Sequence, residues 1–117
     1  VPLGSLPDNG MDLREPRYPE AAVRAVSEAM GEALRNSVNH AGAAAERAIL
    51  VEPAPDRLLV TVADNGAGFD AEAVPPERLG IEVSIRSRLD ELPGGSAHVR
   101  SRPGVGTSVQ IRWEDTR

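Results

Sequence analysis

Glu32, Asn36 and His40 stand four residues apart in the stretch Glu32-Ala33-Leu34-Arg35-Asn36-Ser37-Val38-Asn39-His40. On a helix that spacing places all three on one face. An amide oxygen such as that of Asn36 is a hard ligand suited to Mg²⁺, and a carboxylate one turn away orients a water or polarises a hydroxyl. The same spacing also fits the plain polar face of an amphipathic helix. A second cluster, Asp64-Asn65-Gly66-Ala67-Gly68-Phe69, directly follows a β-rich run. A carboxylate there can accept a hydrogen bond from an exocyclic amine while paired glycines let backbone approach a flat ligand. Taken alone, the segment is equally ordinary Asn-Gly turn chemistry. Arg78-Leu79-Gly80-Ile81 opens a second helical pattern, where unpaired amides and the positive helix end favour a phosphate, or where a helix simply enters after prolines. Gly104-Val105-Gly106-Thr107 reads in isolation as a glycine turn.

These residues need elements to position them. Glu20 to about Ala41 is rich in Ala, Glu, Arg, Leu and Met, and Val23, Val26, Met30, Leu34 and Val38 recur at three to four, which predicts a long amphipathic helix ended near Gly42. Arg47 to Glu52 and Arg57 to Ala63 are β-rich runs split by Pro53 to Asp56 and predict a hairpin. Residues 64–78 hold Gly66, Gly68, Pro75 and Pro76 and predict a loop. Leu79 to Leu92 carries Ile81, Val83, Ile85, Leu89 and Leu92 and predicts a second helix, stopped by Pro93-Gly94-Gly95. Ala97 to Ser101 and the alternating Thr107 to Trp113 predict a second hairpin. Four strands covered on one face by two helices make a two-layer α/β sandwich.

The chain has 117 residues, enough for one domain, with 13 basic and 18 acidic side chains and a net charge of −5. No basic field exists to hold a nucleic-acid backbone. Every basic side chain is Arg, which excludes a Walker lysine and a Schiff-base lysine. Zero cysteines and two histidines exclude disulfides and thiolate zinc sites and argue against an all-histidine metal site. No apolar run approaches the ~18 residues of a membrane span, so a soluble, cytoplasmic domain without membrane contact is expected, whether or not a longer parent is anchored. Val1–Ser5 reads as the remnant of a cleaved expression tag, 6–19 as a proline-containing leader or linker, and 20–117 as the domain proper. Gly66, Gly68 and Ala71 fit a dinucleotide fingerprint, but Pro75 and Pro76 arrive before a helix could develop.

The order and spacing of the clusters together resemble the ATP-binding catalytic domain of sensor histidine kinases, within the Bergerat-fold ATPases that include gyrase, Hsp90 and MutL. Glu32 to Ala41 resembles the N box, Asp64 to Phe69 the G1 box, Leu79 to Ile81 part of the G2 box, and Gly104 to Thr107 the closing Gly-x-Gly-Thr. The resemblance implies a Bergerat fold with a mixed, mostly antiparallel sheet, binding ATP with Mg²⁺. It implies Asn36 as the Mg²⁺ ligand, Glu32 as base or orienting carboxylate, and Asp64 on the adenine amino group with Thr107 assisting. Gly66 and Gly68 would shape the ring pocket, and Gly80 would face the phosphates across a lid at 70–78. Asn39, His40, Phe69, Ile81 and Gly106 complete the implied nucleotide-binding set. Asn39 stands where the family often has a basic residue and Arg78 where it has the first G2 glycine, which suggests phosphate charge from Arg78 or Arg35. The short lid is similar to that of the NarL-like class. The implied function is transfer of the γ-phosphoryl group to a histidine on a separate dimerisation domain, with a response regulator downstream. An anti-sigma-factor serine kinase and a degenerate, non-catalytic interaction module are the alternatives.

Overall fold

The structure is a computed structural model and describes residues 18–70, 73 and 76–116, with the side chains of 76–81 outside the described part. The stretches read above as a tag remnant, 1–5, and a leader, 6–19, thus lie outside the described residues except for 18 and 19. Helix α1 spans Glu20–His40, strands β1 and β2 span Arg47–Ala54 and Arg57–Asp64, helix α2 spans Pro76–Asp90, and β3 and β4 span Gly95–Arg102 and Gly106–Glu114. The strands form one sheet in the order β1-β2-β4-β3, and its three pairings are all antiparallel. Both expected hairpins are present, and the β2–β4 pairing joins them.

Helix α1 begins where Pro19, with ψ at 143°, turns its carbonyl toward the amides of Ala22 and Val23 at 2.9 and 3.1 Å. It ends at Ala41, ahead of Gly42 at φ 107°. Its buried face differs from the expected one. Ala22, Ala25, Val26, Ala29, Ala33 and Ser37 turn inward, while Val23 and Val38 are 45% and 62% exposed. Small side chains let the helix axis lie close to the sheet, and the larger Met30 and Leu34 pack at the flanks of the core.

Helix α2 starts three residues before the expected Leu79, so 76–78 belong to a helix and not to the lid. The reason is that a proline at the first helical position costs nothing: its missing N–H would have no partner there, and its φ already suits a helix. The helix also closes earlier than expected, at Asp90, where Leu92 accepts a bond from the Gly95 amide at 2.8 Å. Strand β1 runs through Pro53, two residues beyond the expected end. An edge strand tolerates the absent donor.

Alternation puts one residue in two toward the helices, and the register stacks these into rows across the sheet. Leu58, Trp113 and Gly95 form one row, Val60, Ile111 and Ala97 the next, and Val62, Val109 and Val99 a third. Ile85 and Leu89 of α2 and the alanine face of α1 close the core over them. Tyr18 meets Trp113 edge-on at 5.7 Å and donates its hydroxyl to the Ala54 carbonyl at 2.9 Å. Helix α1 packs on β2 and β4, and α2 on β3 and β4. Among the described residues neither helix packs on strand β1, where Ile49, Leu50 and Val51 are exposed.

Candidate functional site

The fourth row of the same ladder is polar: Asp64, Thr107 and Ser101 continue the three apolar rows at one end of the sheet. Asp64 is thus delivered to the helix-facing side by strand register, at the point where the chain leaves β2. Its Oδ1 accepts from the amide of Gly66 at 3.0 Å and from that of Thr107 at 3.3 Å. Its Oδ2 accepts from the Ser37 hydroxyl at 2.7 Å. Ser37, almost fully buried on α1, in turn receives the Arg47 guanidinium: Nε donates to its hydroxyl at 2.9 Å and Nη2 to its carbonyl at 3.1 Å. The neighbouring hydroxyls of Ser101 and Thr107 lie 2.8 Å apart, and Ser101 accepts the Phe69 amide at 2.8 Å.

Thr107 lines two concavities. One, of about 260 Å³, lies over the row Ala63, Ser108 and Arg100 on the sheet face away from the helices, with Asp64, Val105 and Thr107 at its border. The other, of about 20 Å³, lies between the helices and the sheet and is lined by Asn36, Phe69, Glu82 and Thr107 among others. That volume suits about one water. Asn36 Oδ1 is fully enclosed with no hydrogen-bond partner among the described residues. An unsatisfied buried amide oxygen is costly, and a water or a hard cation beside it would satisfy it. As a hard oxygen ligand, Asn36 Oδ1 is of the kind that holds Mg²⁺ through one protein group. No group of three or more His, Cys, Asp or Glu suited to a metal occurs among the described residues.

Glu32 is not free on its helix. Its Oε1 accepts from Arg88 Nη1, in an ion pair across to α2, and from the Ser84 hydroxyl at 3.3 Å. The structure thus brings together Asp64, Gly66, Phe69, Gly106, Thr107 and Asn36 and ties Glu32 to α2. Asn39 is exposed and His40 half-buried at the end of α1, and neither joins the Asp64 network. The side chains of Arg78 and Ile81 and the surroundings of Gly80 lie outside the described residues, as do four residues of the expected lid: 71, 72, 74 and 75.

The glycines of the G1 cluster make close approaches within the protein itself. Gly68 has φ at 63°, and a Cβ there would sit 2.0 Å from the Arg102 carbonyl oxygen. The Gly104 amide donates to Ala67 O at 2.7 Å, so the loop is clamped on the tip of the β3–β4 turn. Sequence reasoning missed Ser37, Arg47, Ser101 and Arg88. Only Ser37 left a signal: it falls four residues after Ala33 in the buried alanine stripe.

Residues 21–117 match the family described as histidine kinase-, DNA gyrase B-, and HSP90-like ATPase. The chain is similar to the sensor histidine kinase YvrG of Bacillus subtilis, with 28% identity over 96 residues, covering 69% of the chain and 17% of that protein. It is similar to the signal transduction histidine-protein kinase/phosphatase DegS of Brevibacillus brevis, with 30% identity over 95 residues, covering 81% and 24%. The chain thus spans less than a quarter of either relative. Among solved structures, the histidine kinase domain of a blue-light activated histidine kinase from Erythrobacter litoralis superposes with a TM-score of 0.65 at 24% identity, covering 82% of this chain and 46% of that one. The catalytic domain of histidine kinase ThkA gives 0.62 at 17% identity, covering 79% and 66%. At these identities the superpositions establish the fold. No helix among the described residues is long and apolar enough to cross a membrane.

Proposed function

Because the chain belongs to the histidine kinase-, DNA gyrase B- and HSP90-like ATPase family, we propose that it binds Mg-ATP as the catalytic domain of a sensor histidine kinase. It supplies the γ-phosphoryl group to a histidine on a separate dimerisation domain, from which a response regulator is served. The observation that carries this reading is the pairing of two unlike groups around Thr107. At one end is a carboxylate fixed by Ser37, Gly66 and Thr107. At the other is the enclosed oxygen of Asn36, without a hydrogen-bond partner among the described residues.

Ionised, Asp64 is an acceptor only, with about four lone-pair sites of which three are filled by the protein. The remaining site takes one N–H of the adenine amino group. Asn36 Oδ1 would hold Mg²⁺, which neutralises phosphate charge when bound. Glu32, with both protein donors on Oε1, retains Oε2 to orient a water or the acceptor; its ion pair favours this positioning role over that of a mobile base. To Arg78, whose side chain lies outside the described residues, we assign the positive charge that the β or γ phosphate calls for.

Calorimetric titration of the chain with ADP and Mg²⁺ tests the reading. We expect saturable binding that falls at least tenfold in Asp64→Asn, because the new amide presents a donor or a weaker neutral acceptor to the adenine amine. Binding that is absent in the wild type, or unchanged in Asp64→Asn, refutes it.

A further inference from the structure

We infer that Arg47 and Ser37 form a directional relay that aims the Asp64 carboxylate and thereby sets the preference for adenine over a 6-oxopurine. The inference rests on the proposed binding of adenine at Asp64 and assigns positioning roles to Ser37, within the N-box stretch but not among its implied site residues, and to Arg47, outside every motif.

The direction of the relay follows from donor counting. A guanidinium has donors and no acceptor and keeps its charge across the working pH range. Arg47 Nε therefore occupies a lone pair of the Ser37 hydroxyl, at 2.9 Å. The single hydroxyl proton is left to point at Asp64 Oδ2, 2.7 Å away. Arg47 Nη2 grips the Ser37 carbonyl as well, so the base of the serine is held by the same side chain. Arg47 is paired with Asp64 across the β1–β2 ladder, which fixes the distance the relay must span. With Oδ1 anchored to two backbone amides and Oδ2 to Ser37, the carboxylate plane cannot rotate.

That rigidity has a chemical consequence. Adenine offers an amino donor at C6, whereas hypoxanthine offers a carbonyl at C6 and a donor at N1. A fixed carboxylate aimed at the C6 substituent accepts from the first and opposes the second, leaving two acceptors face to face. A carboxylate free to swing reaches the N1–H of hypoxanthine and loses the discrimination. The relay thus acts on selectivity through orientation, without touching the nucleotide.

The test is competitive titration of a fluorescent adenine nucleotide by ADP and by IDP, with Mg²⁺, on the wild type and on Ser37→Ala, Ser37→Thr, Arg47→Ala and Arg47→Lys. Urea midpoints are measured alongside. In Ser37→Ala and Arg47→Ala, ADP should weaken about tenfold, the scale of a lost hydrogen bond to a charged group, while IDP changes much less, so the ADP/IDP ratio collapses. Ser37→Thr keeps the hydroxyl and should keep the ratio; Arg47→Lys should restore part of it. A ratio unchanged in both alanine variants, or parallel loss of both nucleotides, overturns the relay while leaving adenine binding intact. A wild type that binds ADP and IDP equally overturns the adenine reading and the relay with it. Should Ser37→Ala fail to fold, Arg47→Ala on the exposed edge strand decides the matter.

Discussion

Replacing a single glycine by alanine separates two reasons for its presence, and the structure holds a matched pair. Gly68 and Gly104 both lie in the left-handed region, at φ 63° and 75°. A side chain in that region costs about 1 kcal/mol at either position. The surroundings differ. A Cβ on Gly104 would meet nothing within 4 Å, whereas one on Gly68 would lie 2.0 Å from Arg102 O and 3.0 Å from Gly106 O. Both neighbours are backbone atoms of the β3–β4 turn, so no rotamer change relieves the overlap, and the loop must lift away. Overpacking of that kind adds about 1–3 kcal/mol. Gly104→Ala should therefore lose about 1 kcal/mol and Gly68→Ala about 2–4 kcal/mol, out of the ~5–15 kcal/mol typical of a domain. Thermal melting reads the difference, since each kcal/mol moves the midpoint by about 4–8 °C at this size. Nucleotide titration adds a second readout: lifting residues 66–69 pulls the Gly66 amide from Asp64, so Gly68→Ala should also bind ADP more weakly, while Gly104→Ala binds nearly as the wild type. Two variants that melt together and bind alike would refute the close-approach argument.

Two further outcomes follow from packing. Glu32 and Arg88 join α1 to α2 at partly buried positions that keep some solvent contact, so a double-mutant cycle of Glu32→Gln and Arg88→Ala in urea should give a coupling of about 0.5–1 kcal/mol; strict additivity would show the pair to be incidental. Ile111→Ala, at the centre of the second core row, should cost about 2–5 kcal/mol by opening a cavity, whereas Leu50→Glu on the uncovered edge strand should stay within about 0.5 kcal/mol. Comparable denaturation midpoints for the two would contradict the assigned core.

Turn residues and alternation made the hairpins legible, because Pro53 to Asp56 and Pro103 to Gly106 separate β-rich runs, and in β2 and β4 the inward residues are large and apolar. The inward face of α1 was not legible in the same way. Reading hydrophobic period weights Val, Leu and Met, yet a helix laid close on a sheet selects alanine for its contact line and leaves Val23 and Val38 outside. Pro76 misled for a related reason: proline breaks a helix interior but suits its first position, so the same residue signals opposite things. At the site, Asp64 and Thr107 stood out as motif members. Their partners did not, since Ser37, Arg47 and Ser101 are commonplace residues whose roles arise only from pairing across the sheet and between sheet and helix.

That dependence on pairing explains where the site's precision comes from. Asp64, Thr107 and Ser101 occupy the same face as Val62, Val109 and Val99 because they are the next row of one ladder. A slip of one residue between β2 and β4 would turn Asp64 outward together with every core residue of β2. The apolar rows that stabilise the domain therefore also specify the orientation of the carboxylate, and the cost of exposing Leu58, Val60 and Val62 guards against misalignment of the site. The G1 loop adds only the local amides of Gly66 and Phe69, anchored to Asp64 and Ser101 at the ends of the strands. The residues proposed to read a flat ring are thus set by the register of the sheet.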